Sequence, residues 1–377
     1  MRSFILAACL VTNIAFADEI VGFSAYENGD YSTAYPHLTQ AAAAGNDDAM
    51  YLLGRMFQYG YGVNQDDVKA GEWYRKAADK NNALAQLSLG YLYDSGKGFK
   101  QNFEEAFAWY MKSAVQGNEI AQRNIGLMYA TGDGVKADNQ KSFEWFTKSA
   151  EKGYAKSQVN LAYQYMVGSG TTKNVEKAMY WYKQAAEQGD AKGEYSLGLL
   201  YTGDYGIPAD QKEATYWLSK AANKGHRNAQ AWLAYQYMYG YGIDASSEKA
   251  AYWYQQSAEL GQDQAQMELG QLLLTGKGVE KDYEQAAFWF AKSAAQGNVT
   301  AQGKLGYMYN AGIGVSKDKV KAYAWLMMAA GNKNEQAKNE LDRLTPTLSV
   351  DEKKQGDALF NELKSKGSVP EGHDFEN

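Results

Sequence analysis

The stretch 85–117, AQLSLGYLYDSGKGFKQNFEEAFAWYMKSAVQG, returns 36 residues later as 121–153, AQRNIGLMYATGDGVKADNQKSFEWFTKSAEKG. The two align without a gap, and the register runs on in both directions. Tryptophan falls at Trp73, Trp109, Trp145, Trp181, Trp217, Trp253, Trp289 and Trp325, each step being 36 residues. A small residue keeps the same step at Gly54, Gly90, Gly126, Ala162, Gly198, Ala234, Gly270 and Gly306. An aromatic stands three positions beyond each, except where Leu273 replaces it. Eight registers without a shift define an internal repeat, the signature of units that bury their apolar faces by stacking on one another.

Each unit reads as two helices. In the first, Ala85, Leu89 and Tyr93 are spaced by four, which places them on one helical stripe; in the second, Ala106, Trp109, Tyr110 and Ser113 follow an i, i+3, i+4, i+7 pattern. The turn between them is G-x-G followed by an apolar residue, as in Gly60-Tyr61-Gly62-Val63 and Gly276-Lys277-Gly278-Val279. Glycine ends a helix readily because it enters the left-handed region without steric cost. A helix-interior glycine such as Gly54 costs about 1 kcal/mol against alanine, so its recurrence implies a packing reason.

These residues resemble the Sel-like repeat family, a branch of the tetratricopeptide-like superfamily. The motifs that carry the likeness are A-x-x-x-L-G-x-M-Y, G-x-G-V and K-A-x-x-W-Y-x-K-A-A, and they run from about residue 29 to 366. The resemblance implies an all-α fold, a right-handed α-solenoid of helix-turn-helix repeats whose first helices line a concave groove, and an adaptor or recognition role. Cysteine-rich members look like β-lactam-binding proteins with a disulfide in every repeat. This chain has a single cysteine, Cys9, which puts that activity in doubt here.

The organisation expected is a signal peptide over 1–17, a capping half repeat over 18–48, eight repeats over 49–330, capping helices over 331–366 and a disordered tail over 367–377. Arg2, the apolar run from Phe4 to Val11 and the small-x-small site Ala15-Phe16-Ala17 read as a secretory signal cleaved after Ala17, which implies a periplasmic or secreted protein. Leu6-Ala7-Ala8-Cys9 leaves a lipoprotein signal as the rival reading, with a very short apolar segment ahead of the cysteine. No later segment approaches the ~20 apolar residues of a membrane span. The formal charge is −6 and no basic run stands out, which argues against a nucleic-acid partner. His37, His226 and His373 are too scattered for a metal site or a catalytic triad. Neither a cofactor nor an enzymatic activity is expected.

The candidate binding surface follows from helical geometry. Counting from the small residue that opens each first helix, positions 0, +4, +7 and +8 form the core face, and +2, +6 and +9 fall opposite, at about 200°, 240° and 180°. Solvated charge is the ordinary occupant of such a face. Here it holds Tyr51, Tyr91, Leu127, Tyr163, Met166, Tyr195, Tyr235, Met238, Met267 and Tyr307, with three formal charges among its twenty-four positions. A tyrosine- and methionine-rich stripe suits adaptable contact with a protein or peptide; its alternative is burial against the neighbouring unit. Gln164 and Gln236 stand where other units place leucine or methionine, either as polar anchors for a bound backbone or bonded to an adjacent helix. Trp232, the one tryptophan out of step, is an interface anchor by residue type or a partly buried core ring. The expectation is an adaptor that captures a protein segment, against two alternatives: a β-lactam-binding or cell-wall hydrolase, or a structural spacer in an envelope complex.

Overall fold

The computed structural model describes residues 20–366, so the expected signal segment and tail lie outside the described residues. All regular structure among them is helical. Helix α1 covers 20–27 and α2 Tyr31–Ala43. Eight pairs follow: α3 Asp47–Tyr59 with α4 Asp67–Asp79, α5 Ala83–Ser95 with α6 Phe103–Val115, α7 Glu119–Thr131 with α8 Asn139–Glu151, and α9 Ala155–Val167 with α10 Val175–Glu187. Then come α11 Ala191–Leu200 with α12 Gln211–Asn223, α13 Arg227–Tyr239 with α14 Ser247–Glu259, α15 Asp263–Thr275 with α16 Tyr283–Ala295, and α17 Val299–Ala311 with α18 Lys319–Gly331. The chain ends in α19 Glu335–Leu344, a 3-10 turn Thr345–Thr347 and α20 Val350–Lys366. It divides into two compact units, 1–181 and 182–377, with the division inside α10. In the first, α3 to α8 each pack on the next helix in sequence; in the second, α11 to α18 do the same, and α20 returns to cover α18. Each unit is a stack of helix pairs, an α-solenoid.

Local chemistry sets the helix limits. Second helices are N-capped at the same register by Asp66, Asn102, Asp138, Asp210, Ser246, Asp282 and Asp318, whose side chains accept from backbone N–H groups of the first turn. Such a cap contributes about 1 kcal/mol. The glycine that closes the first helix takes the left-handed conformation, as at Gly96 with φ 71°. The second glycine of the turn is needed for close approach: a Cβ on Gly242 would lie 1.9 Å from the Gln211 carbonyl oxygen at the start of the preceding repeat's second helix. The glycine inside the helix has the packing reason its cost implied. A Cβ on Gly90 would stand 2.6 Å from the Tyr110 ring.

The repeated tryptophan is not the deepest ring of its unit, because the residue after it lies deeper: Tyr74, Tyr110, Tyr182 and Phe290 are among the largest fully buried side chains. Trp109 and Trp217 are buried, while Trp73, Trp145, Trp181, Trp253, Trp289 and Trp325 are half-buried. The indole lies at the edge of the second helix, where in five of the eight repeats a lysine three residues on lies over its outer face. Lys76 Nζ is 4.1 Å from the Trp73 ring and Lys112 Nζ 3.6 Å from that of Trp109. The inner face still joins units. Trp145 packs on the cluster of Tyr110, Ile125 and Tyr129, and Trp253 touches the clusters on both of its sides.

Polar ladders fix the register between pairs. Gln86, Gln122 and Gln158 in the first unit, and Gln230, Gln266 and Gln302 in the second, each donate from Nε2 to the backbone carbonyl eight residues before, at 3.1–3.3 Å. A buried amide so bonded gives a second donor to a helix-terminal carbonyl that already accepts from the backbone N–H three residues on. Glu194 takes this position in the fifth repeat. Its side chain is fully buried and receives Lys224 Nζ at 2.7 Å, and the same ammonium donates to the Gly189 carbonyl at 2.6 Å. Lysine there does the bridging that a carboxylate cannot do for a carbonyl.

Candidate functional site

The glutamine ladder also redirects the outer face. Its register, one residue after the opening small residue, is buried along with the helix-interior glycine; in α5 the buried set is Ala85, Gln86, Leu89, Gly90 and Leu92. Those positions move the centre of the core face to about 60°, leaving the +6 position, at about 240°, diametrically outward. The +2 and +9 positions fall toward the seams between neighbouring first helices.

Burial follows that geometry. In the first unit Tyr91 is 41% exposed, Tyr51, Leu127 and Tyr163 are half-buried, and Gln164 and Met166 are buried. In the second, Tyr235 is 38% and Tyr307 47% exposed, Trp232 and Met238 are half-buried, and Tyr195, Gln236 and Met267 are buried. Tyr195 packs with Leu218 and Leu233 and stacks on His226 at 4.4 Å, while Met267 joins Phe290 and Leu305 of the next repeat. Tyr195, Met166 and Met267 are thus buried, and of the expected tyrosines the exposed ones are Tyr91 in the first unit and Tyr235 and Tyr307 in the second. Gln164 donates to Ser142 Oγ at 2.9 Å, the neighbouring-helix alternative. Gln236 differs. It is 2% exposed, and neither of its amide atoms has a hydrogen-bond partner.

Gln236 lies in the wall of a cleft of ≈ 200 Å³, with Thr202, Asp204, Gln211, Trp232, Tyr235 and Tyr241. The cleft exists because α11 stops early, at Leu200, leaving it ten residues long against thirteen in the other first helices. Its closing glycine is displaced to Gly203 (φ 98°), and Asp204 occupies the register where the other units place glycine. Thr202 Oγ1 donates to Asp204 Oδ2 at 3.1 Å and Gln211 Nε2 to the Thr202 carbonyl at 3.2 Å, so the loop has a defined form. Across it the aromatic rings gather: Tyr235 is 5.8 Å from Trp232, 4.7 Å from Tyr239 and 5.7 Å from Tyr241. Partial burial, then Tyr241, Tyr239 and the Asp204 carboxylate, raise the Tyr235 hydroxyl above the ordinary tyrosine pKa, which keeps it a neutral donor.

The helix pairs match the family model described as the Sel1 repeat over 47–82, 83–118, 120–154, 155–190, 191–226, 227–262, 263–298 and 299–334. The chain belongs to the Sel1 repeat family. Among solved structures it is similar to a protective antigen present in uropathogenic Escherichia coli strains and displaying an SLR fold, at 34% identity and TM-score 0.83, over 93% of this chain and 76% of that one. It is also similar to a Sel1 repeat protein from Oxalobacter formigenes, at 34% identity and TM-score 0.62, over 82% of this chain and 90% of the other. The search of curated proteins returned no match.

Within this Sel1 repeat chain, Tyr239, Tyr241 and Asp204 were not singled out in sequence. The signal was present. Asp204 breaks a glycine register, and Tyr239-Gly240-Tyr241 repeats Tyr59-Gly60-Tyr61 of the first repeat. A second exposed row was also missed: Tyr216, Tyr252 and Phe288, at the 36-residue step on α12, α14 and α16, each set edge-on to the adjacent tryptophan. No group of three or more His, Cys, Asp or Glu that could hold a metal ion occurs among the described residues, and no described helix is long and apolar enough to cross a membrane.

Proposed function

We propose that this Sel1 repeat protein is an exported adaptor, periplasmic or secreted, that binds a protein partner on the outward face of its first helices and catalyses no reaction. The carrying observation is that Tyr91, Tyr235 and Tyr307, at one repeat register, expose 38–47% of their surface where solvated charge would ordinarily stand. Tyrosine supplies large contact area and a hydroxyl at low entropic cost. Tetratricopeptide-like repeats are scaffolds for protein interaction, and export is supported by the reading of residues 1–17 as a secretory signal and by a similar protein described as a protective antigen.

The test pairs Tyr91→Ala with Tyr307→Ala, leaving Tyr235 intact. Affinity capture from envelope extracts with wild-type protein should recover a partner that the double variant loses, with unchanged far-UV helicity. A partner retained at wild-type yield by the folded double variant sinks this reading.

A further inference from the structure

The first repeat shows what an aromatic nest of this kind holds. There Tyr59 and Tyr61 stack at 5.4 Å, and the Arg55 guanidinium carbon lies 5.7 Å from the Tyr59 ring and 5.9 Å from that of Tyr26. Five units on, the same registers carry Tyr239 and Tyr241, but Tyr235 stands in place of Arg55 and Gln236 in place of Met56. The chain's own cation has been removed, and a polar group has been placed in the core beneath it.

Met56 is a fully buried apolar side chain, whereas the Gln236 amide at that register has neither oxygen nor nitrogen bonded. An unbonded buried amide costs roughly 1–3 kcal/mol. Its presence in a cleft wall points to a ligand that bonds it. The rest of the wall specifies a cation: three aromatic rings, the Asp204 carboxylate and no lysine or arginine. Among the described residues, lysines stack on five of the second-helix tryptophans and on several tyrosines, but on none of Trp232, Tyr235, Tyr239 or Tyr241. A guanidinium fits these demands better than an ammonium. It is planar enough to stack on rings, and its fork of donors can reach a carboxylate and an amide oxygen together. The ≈ 200 Å³ of the cleft admits one long side chain.

We propose that the cleft between the fifth and sixth repeats takes the guanidinium of an arginine side chain on the protein partner, stacked on Trp232, Tyr235 and Tyr241 and paired with Asp204. This rests on the reading of the outward face as a protein-binding surface, and it names the chemistry of one contact within it.

The test uses the full chain and N-acetyl-argininamide as probe, followed by NMR of the Trp232 indole N–H and the Gln236 side-chain amide, with Trp232→Phe and Gln236→Met assigning the two signals. Saturable millimolar shifts are expected at both. N-acetyl-citrullinamide, the uncharged near-isostere, should bind at least about tenfold more weakly, and Asp204→Asn should weaken the arginine probe by about the same factor, as loss of a charge-assisted hydrogen bond predicts. Tyr235→Arg recreates the first repeat's arrangement and should abolish probe binding while raising the melting temperature. Equal binding of the citrulline probe, no saturable shift at Trp232, or undiminished binding by Tyr235→Arg each overturns the proposal. Because the probe assay needs no natural partner, its failure leaves the Tyr91 and Tyr307 capture experiment to be judged by itself.

Discussion

The first and sixth repeats have the same pair of turn tyrosines above the same buried ring, Tyr74 in one and Tyr254 in the other, yet they differ in what meets those tyrosines. The first closes on the helices before it: Arg55 lies over Tyr59 and over Tyr26 of α1, Tyr31 of α2 stacks on Tyr61 at 4.8 Å, and within the repeat Tyr74 Oη donates to Gln58 at 2.6 Å. The sixth has Gln211 at the register of Tyr31 and Tyr235 at that of Arg55, and faces a loop lengthened by the early stop of α11. The lesson is that the scaffold contacts recur while recognition is set by a handful of side chains riding on them. A terminal repeat must satisfy its own outer surface, and an internal one can leave part of it for a partner.

The harshest way to probe that contrast is to truncate the buried rings. Tyr74→Ala and Tyr254→Ala should each lose roughly 3–5 kcal/mol in urea unfolding. Tyr74→Ala should be the worse by about 1 kcal/mol, because it also strips the bond to Gln58. An equal or larger loss at Tyr254 would mean that the sixth repeat is the more tightly closed of the two, contrary to the comparison.

A gentler exchange converts one repeat into the other. Arg55→Tyr should cost about 0.5–1 kcal/mol, the worth of a cation stacked on rings near the surface. Thermal unfolding checks this, and a variant as stable as the wild type would show that the guanidinium contributes nothing to closure.

The smallest effect is expected at Tyr26, whose buried hydroxyl has no hydrogen-bond partner. Tyr26→Phe should therefore change stability by no more than about 0.5 kcal/mol near neutrality. Burial, opposed by Arg55, pushes that hydroxyl up to about 12. The folded state thus holds its proton more tightly than the unfolded chain, whose tyrosines titrate near pH 10. The stability this contributes is complete below about pH 10 and is lost as pH rises toward about 12. Relative to wild type, Tyr26→Phe should gain stability across that window, as read by unfolding at stepped pH; a constant offset would place the alkaline sensitivity elsewhere.

What was legible in the sequence was whatever recurs. Eight tryptophans in step gave the units, and the two glycines of each turn gave the helix limits. The caps at Asp66 and its equivalents are equally periodic, but a polar register says nothing of which face is buried. Depth is not legible from the period for a physical reason: tryptophan is large but amphipathic, and a lysine can shield its rim, so the smaller side chain beside it goes deeper. The outer face was set from positions 0, +4, +7 and +8 alone, without the buried +1 glutamine; adding it turns the core face, and Tyr195, Met166 and Met267 are buried. The cleft was hidden for the opposite reason, since it arises where the period fails. Asp204 replaces a glycine, α11 loses a turn, and a search tuned to repetition passes over both.

The cleft draws its acid from one helix pair and its rings and amide from the next. Unequal recombination could add or delete a whole pair elsewhere in such a chain without devising a new junction, since the same carbonyl-directed glutamine bond recurs between successive pairs except at the step into the fifth, where Glu194 stands. Excising either the fifth or the sixth pair would dismantle the pocket. If that pocket is under selection, those two pairs are inherited as a couple, and variation in array length should accumulate outside them.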